Sequence, residues 1–293
     1  MTAADLLLRA QSLRAQRTPF VLATVVRAQK PTSAKAGDRA LVLPDGTLDG
    51  FVGGTCAEST VRMEGLRLLT TGESTLLRIT PSPASDEDGV VTVTNPCLSG
   101  GALDIFMEAM IPATLLYVFG DAPVARALAR VGEAAGYDMV ATTDPAQAVP
   151  ADAGAVVVAS HGRDEEAVLA AAVRAGVPYV ALVASRKRGA AVLADAGLTA
   201  DQVRTPAGLD IGARSAPDVA VSILAEIIGT RTRVAPAPAQ LAPPVASALD
   251  PVCGMAVAVS ASSLQAEHDG RTWYFCGTGC RDAFVDDPGR YGA

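Results

Sequence analysis

Apolar positions along this chain repeat with two different spacings, and the spacing changes where glycine and proline punctuate it. Short aliphatic and β-branched runs at Phe20 to Val26, Arg39 to Leu43 and Leu48 to Val52 predict strands, the last two joined through the turn Pro44-Asp45-Gly46-Thr47. Helical spacing takes over from about Cys56 to Leu69, and shorter strands are expected at TLLRI and VVTVT. Ahead of them, MTAADLLLRAQSLRAQR reads as an amphipathic helix capped by Thr2, with Asp5 in its first turn.

After the run ALDIFMEAM and Ile111-Pro112 the pattern becomes a regular alternation of strand and helix. It runs through TLLYVF, VARALARVGEAAG, YDMVAT, AVVVAS, DEEAVLAAAVRAG, YVALVA, SRKRGAAVLADAG and a final helix over Asp218 to Ile228. That alternation predicts an α/β fold, a parallel sheet covered on both faces. Gly136, Gly176 and Gly197 stand where helices end on a left-handed residue. Proline then alternates with small residues over RTRVAPAPAQLAPPVASAL, which excludes both helix and ladder and reads as a semi-rigid tether. The expected organisation is therefore an N-terminal α/β domain over residues 1–112, a parallel-sheet domain over 113–232, a Pro/Ala-rich linker over 233–249 and a small module over 250–293. So short a module buries little surface and needs an added constraint such as a metal.

Charge changes the range of functions. With 24 Lys and Arg against 31 Asp and Glu, the net charge of −7 repels a phosphate backbone, so nucleic acid is set aside as a partner. No apolar run spans a bilayer, even Val219 to Ile228 being broken by Ser222 and Glu226, and no charged leader opens the chain, so a cytoplasmic location is expected. Five cysteines are too few for a disulfide framework, and their grouping matters more.

Gly53 and Gly54 follow a strand, and Cys56 begins the next helix, where backbone donors favour thiolate and also accept an anion. The arrangement suits a phosphorylated, sulfur-bearing cofactor; it equally suits a small residue in a tight turn. Cys97 lies in a second glycine-rich turn, Asn95 to Gly101, and either faces a common pocket with Cys56 or forms a disulfide with it. Gly120 stands between strand and helix, where a dinucleotide fold turns under a pyrophosphate, and Asp144 lies just past the second strand, the place of a ribose-binding acid. The fingerprint is incomplete, because Asp121 and Ala122 follow Gly120 and a carboxylate there repels phosphate. His161 follows the strand AVVVAS, a position for a ligand or for an ordinary polar loop residue. In the last module Cys253, Cys276 and Cys280, with His268 as a fourth donor, suit copper or zinc; a redox-reactive thiol cluster is the alternative. Trp273, Tyr274, Phe275, Phe284 and Tyr291 are expected to form that module's core.

Several of these segments together resemble a known family. ATVVRA, GFVGGTCAE and the NPCLSGG turn are similar to the N-terminal domain of the XdhC/CoxI family of molybdoenzyme maturation factors. LLYVFGDAPVARALA, SHGRDEEAVL, YVALVASRKR and GLDIGARSAPDVAVSILAEIIG resemble that family's Rossmann-like domain, and DPVCGM with WYFCGTGC resembles a YHS domain. The resemblance implies a non-catalytic chaperone that binds the molybdenum cofactor through Cys56 and supports its sulfuration. The client it implies is an apo-hydroxylase of the xanthine or carbon monoxide dehydrogenase type, with a cysteine desulfurase as a further candidate partner, and a homo-oligomer is the general expectation for such a body. Because the molybdenum-type carbon monoxide dehydrogenase also needs copper, the tail is a candidate to hold or deliver it. Two other classes stay open: an NAD(P)-binding oxidoreductase built on Gly120 and Asp144, and a metal-responsive interaction protein.

Overall fold

A computed structural model describes residues 2–83, 87–94, 101–233, 246–259 and 263–291, without the side chains of 231–233. The chain divides into two compact units, one made of Met1–Pro112 with Leu241–Ala293 and the other of Ala113–Gln240. Cys97 and most of the expected linker lie outside the described residues.

In the first unit the helix α1 (Ala3–Ala15) begins at Thr2, whose side chain accepts from the Asp5 amide while the Asp5 side chain accepts from the Thr2 amide. Strands β1 (Phe20–Gln29), β2 (Arg39–Val42) and β3 (Leu48–Gly50) precede α2 (Thr55–Thr71), and β4 (Thr75–Thr80), β5 (Val90–Thr94) and β6 (Ala102–Met110) follow it. They form one sheet in the order β3-β2-β1-β6-β4-β5, antiparallel except for the β4–β5 pair. The two-residue alternation of β1 places Val21, Ala23 and Val25 under α2 with Val61, Leu68 and Leu69, while Phe20 faces α1 through Leu6 and Leu13. Gly65 lets α2 approach the sheet, since a Cβ there would lie 2.9 Å from the Val42 side chain.

Two boundaries differ from those read in the sequence. β1 runs past Val26 to Gln29 because β6 pairs with it throughout, across an irregularity between Val25 and Arg27. β3 stops at Gly50, not Val52, because Gly50 turns the chain at φ 118° while the Phe51 amide donates to the Arg39 carbonyl.

The second unit contains β7 (Leu115–Phe119), α3 (Pro123–Ala134), β8 (Asp138–Thr142), β9 (Ala153–Val158), α4 (Glu165–Arg174), β10 (Val180–Leu182), α5 (Arg186–Asp195) and α6 (Ala216–Arg233). Its sheet is parallel throughout, in the order β10-β9-β7-β8. Alternate residues serve opposite faces: Leu116, Val118, Ala155 and Val157 meet the α3 and α6 side, while Tyr117, Phe119, Val156 and Val158 meet α4 and α5. This is the doubly covered Rossmann-like sheet expected from the alternating pattern. Gly136, Gly176 and Gly197 follow the ends of α3, α4 and α5 at positive φ.

The tail consists of β11 (Ser247–Leu249), β12 (Ala256–Ala258), β13 (Leu264–His268), β14 (Arg271–Phe275) and α7 (Thr278–Asp286). Phe284 of α7 packs against Trp273, Phe275 and Tyr291 with ring centroids 5.3, 5.2 and 6.4 Å away. β12 adds Ala258 to the core beneath α2, so the tail is folded onto the first domain. Among the described residues, no helix is long and apolar enough to cross a membrane.

Candidate functional site

The tail packs its cysteines around one point. Cys253 leaves a tight turn in which the Gly254 amide donates to the Asp250 carbonyl and the Asp250 amide to the Met255 carbonyl, both at 2.8 Å. Cys276 ends β14, and Cys280 lies in the first turn of α7. The Cys253 and Cys276 sulfurs are 3.5 Å apart and those of Cys276 and Cys280 3.7 Å apart. Asp250 completes the cluster, all four donor atoms lying within 4.8 Å of one another. Its carboxylate is buried and accepts from the amides of Val252 at 2.9 Å and Cys276 at 2.8 Å, so it ties together the two loops that carry the thiols.

These separations suit a tetrahedral ion. Metal–sulfur bonds of about 2.3 Å hold neighbouring sulfurs about 3.8 Å apart. Without a cation the same packing works against thiolate. Burial, with the Asp250 charge, pushes the Cys280 thiol up to about 12, and the hydrogen bond with Cys56, then burial and Asp250, hold Cys276 well above the ordinary thiol range. A bound cation reverses that balance by stabilising the deprotonated sulfurs.

His268 is not part of this group. Antiparallel pairing places Leu264 opposite Phe275 and His268 opposite Arg271, so His268 sits at the far end of the hairpin from Cys276. There its ring meets Phe284 edge-on at 6.0 Å and its Nε2 is 3.8 Å from Asp269. Asp250 occupies the place that the sequence reading gave to His268. The missed signal was an aspartate three positions before Cys253, free to accept from the turn it begins.

Cys56 arrives at the cluster from the first domain. Gly54 is the N-cap of α2 and offers no side-chain cap, and Cys56, in the first turn, hydrogen-bonds Cys276. A Cβ built on Gly277 would lie 3.7 Å from Thr55 and 3.9 Å from the Cys56 sulfur, so the tail loop rests directly on the start of α2. Gly53 is buried, and a Cβ there would meet Ala57 at 3.1 Å and Leu103 at 3.3 Å, whereas Gly54 faces open space. None of Cys56, Cys253, Cys276 and Cys280 forms a disulfide.

A second group of residues lies at the carboxyl end of the parallel sheet, in the other unit. The Gly120 amide donates to the Thr142 carbonyl at 2.8 Å, and a Cβ on Gly120 would collide with the Ala159 carbonyl, so this glycine serves the close approach of β7 and β9. Asp121 pairs with Arg163. Asp144 turns inward on its own loop, its Oδ1 accepting from the Ala146 amide at 2.9 Å. His161 is exposed in a left-handed conformation at φ 56°. Behind it, sequence reasoning missed a buried anchor: Glu165 accepts from the Gly162 amide at 2.8 Å and from Arg188 Nη1 at 2.5 Å.

Comparison with known proteins covers the same segments. Residues 13–80 match the XdhC and CoxI family, residues 116–227 the XdhC Rossmann domain and residues 248–293 the YHS domain. The chain is 25% identical over 250 residues to the uncharacterized protein YqeB of Escherichia coli (strain K12), covering 75% of this chain and 45% of that protein. It thus spans less than half the length of this relative. A solved structure described as a xanthine dehydrogenase from Bacillus halodurans matches with a TM-score of 0.40 and 15% identity, covering 78% of this chain and 96% of that one.

Proposed function

Because the chain carries both XdhC segments and a YHS domain in one polypeptide, we propose that it is an accessory factor in the maturation of a molybdenum hydroxylase of the xanthine or carbon monoxide dehydrogenase type. In this reading it binds the molybdenum cofactor, supports its sulfuration and passes it to the apo-enzyme, without catalysing turnover of a small substrate.

The observation that supports the reading best is the setting of Cys56. A soft sulfur donor stands in the first turn of α2, behind a glycine pair and without a side-chain cap. The helix start offers amide donors and a positive dipole end to an anion, and the open space at Gly54 leaves room for one. Gly53, Gly54 and Cys56 therefore fit a phosphorylated cofactor with a thiophilic metal. When bound, that cofactor supplies the redox-active metal of the client enzyme. The protein's residues hold its phosphate and give its metal a sulfur neighbour. Cys97, whose position is not among the described residues, is a second candidate contact.

The tail's Cys253, Cys276 and Cys280 hold copper or zinc in the same reading. In the second unit, a nucleotide over Gly120, Asp144 and His161 would meet Asp121, which pairs with Arg163, and titration with NADH tests whether one binds.

The deciding experiment is purification from cells that make molybdenum cofactor, followed by oxidation and measurement of released pterin fluorescence. Wild-type protein is expected to release pterin and Cys56→Ser protein little. Absence of pterin from both would remove the cofactor reading.

A further inference from the structure

The tail cluster joins three sulfurs to one carboxylate, and the first domain brings a further sulfur against it. Three sulfurs, from Cys253, Cys276 and Cys280, stand at tetrahedral spacing. The remaining donor of the group, Asp250, already uses both carboxylate oxygens to accept the Val252 and Cys276 amides. Both oxygens thus help position the thiol-bearing loops, the role of a carboxylate that orients ligands from behind. Cys56 hydrogen-bonds Cys276 from across the seam between tail and first domain and, like Cys253 and Cys280, packs against the buried group of Met255, Val257 and Cys276.

The electrostatics of the seam favour four sulfurs. A divalent ion with four thiolates carries net negative charge, and α2 and α7 both direct their first turns at this point. Neither Gly54 nor Gly277, the N-caps, supplies a capping side chain, and the positive ends of both helix dipoles favour negative charge on the sulfurs.

We infer that Cys56 is the fourth ligand of a thiophilic metal ion held by Cys253, Cys276 and Cys280, so that the ion joins the tail to the first domain and competes with the cofactor for one sulfur. The competition rests on the proposed role of Cys56 in cofactor binding; the ligand assignment does not. A filled metal site closes the tail over α2 and occupies Cys56. Loss or transfer of the ion exposes Cys56 at the start of the helix. Metal status would then decide when this protein accepts its cofactor.

The test uses the full chain, reduced and stripped of metal, with and without one equivalent of Zn2+. Iodoacetamide labelling followed by mass spectrometry reads each cysteine separately. Zinc is expected to slow alkylation of Cys56 about tenfold or more, in parallel with Cys253, Cys276 and Cys280. Zinc affinity, read by competition with a chromophoric chelator, should fall about tenfold or more in Cys56→Ser. Equal alkylation of Cys56 in the zinc and metal-free proteins overturns the assignment without recourse to any variant. So does protection that appears without metal and vanishes on reduction, because that is a disulfide. Zinc protection of Cys56 in a protein that never carries pterin upholds the ligand assignment and removes the cofactor reading. Pterin retained equally with and without zinc overturns the competition alone.

Discussion

Cys56 and Cys276 come from opposite ends of the sequence and share a hydrogen bond at the seam where the tail lies on α2. Contact between the tail and the first domain also runs through Ala258 of β12, which joins the core beneath that helix. A ligand bound at this seam stabilises both parts together.

Zinc should therefore raise the melting temperature of the first domain, not only that of the tail. At a free concentration one hundred times its dissociation constant, a ligand confined to the folded state adds about 2.7 kcal/mol. Differential scanning calorimetry of wild-type protein should show the shift, and Cys253→Ser should lose it. A zinc effect restricted to hydrogen exchange in residues 264–291 would contradict a shared seam.

Asp104 of β6 is buried between Arg27, at 2.8 Å, and Arg78, at 3.1 Å. Burial alone would raise its carboxyl, but the hydrogen bonds and charges of the two arginines together outweigh it and hold the group below the usual carboxylate range. A depressed folded value means stability that is fully present above the unfolded carboxylate value, about 3.9, and is lost as pH falls through the folded one. Asp104→Asn should cost about 1–3 kcal/mol at pH 7 in urea unfolding. The difference between variant and wild type should shrink as the pH is lowered beneath 4.

Glu165 and Arg188 form an asymmetric pair, the carboxylate fully buried and the guanidinium side chain 38% exposed. Arg188→Met strands a buried charge and is expected to cost about 3 kcal/mol or more. Glu165→Gln keeps an acceptor for the Gly162 amide and leaves a cation that water reaches, so its cost should be nearer 1–2 kcal/mol. Chemical denaturation of the two variants checks the order; equal losses would show that the pair acts only through its mutual attraction.

Gly120→Ala should destabilise the second unit by about 1–3 kcal/mol, because alanine resists a φ of 115° and its methyl meets the Ala159 carbonyl. Thermal unfolding checks this; an unchanged melting temperature would show that the backbone yields at this contact.

What the sequence determined by itself was local. Strand and helix spacing placed nearly every element of the two α/β domains, though none in the tail, because the periods of two and 3.6 residues are set by backbone geometry and read directly from which positions are apolar. Composition and motif singled out Cys56, Cys253, Cys276 and Cys280 as candidate site residues. The ends of β1 and β3 were not legible, since one depends on pairing with β6 and the other on a backbone turn at Gly50. Tertiary structure decided the grouping. Hairpin register carried His268 away from the thiols, a turn brought Asp250 into them, and packing of β12 on α2 brought Cys56 to Cys276. Distance along a chain does not encode distance through space, so a site assembled from two folded parts becomes visible only when both are folded together.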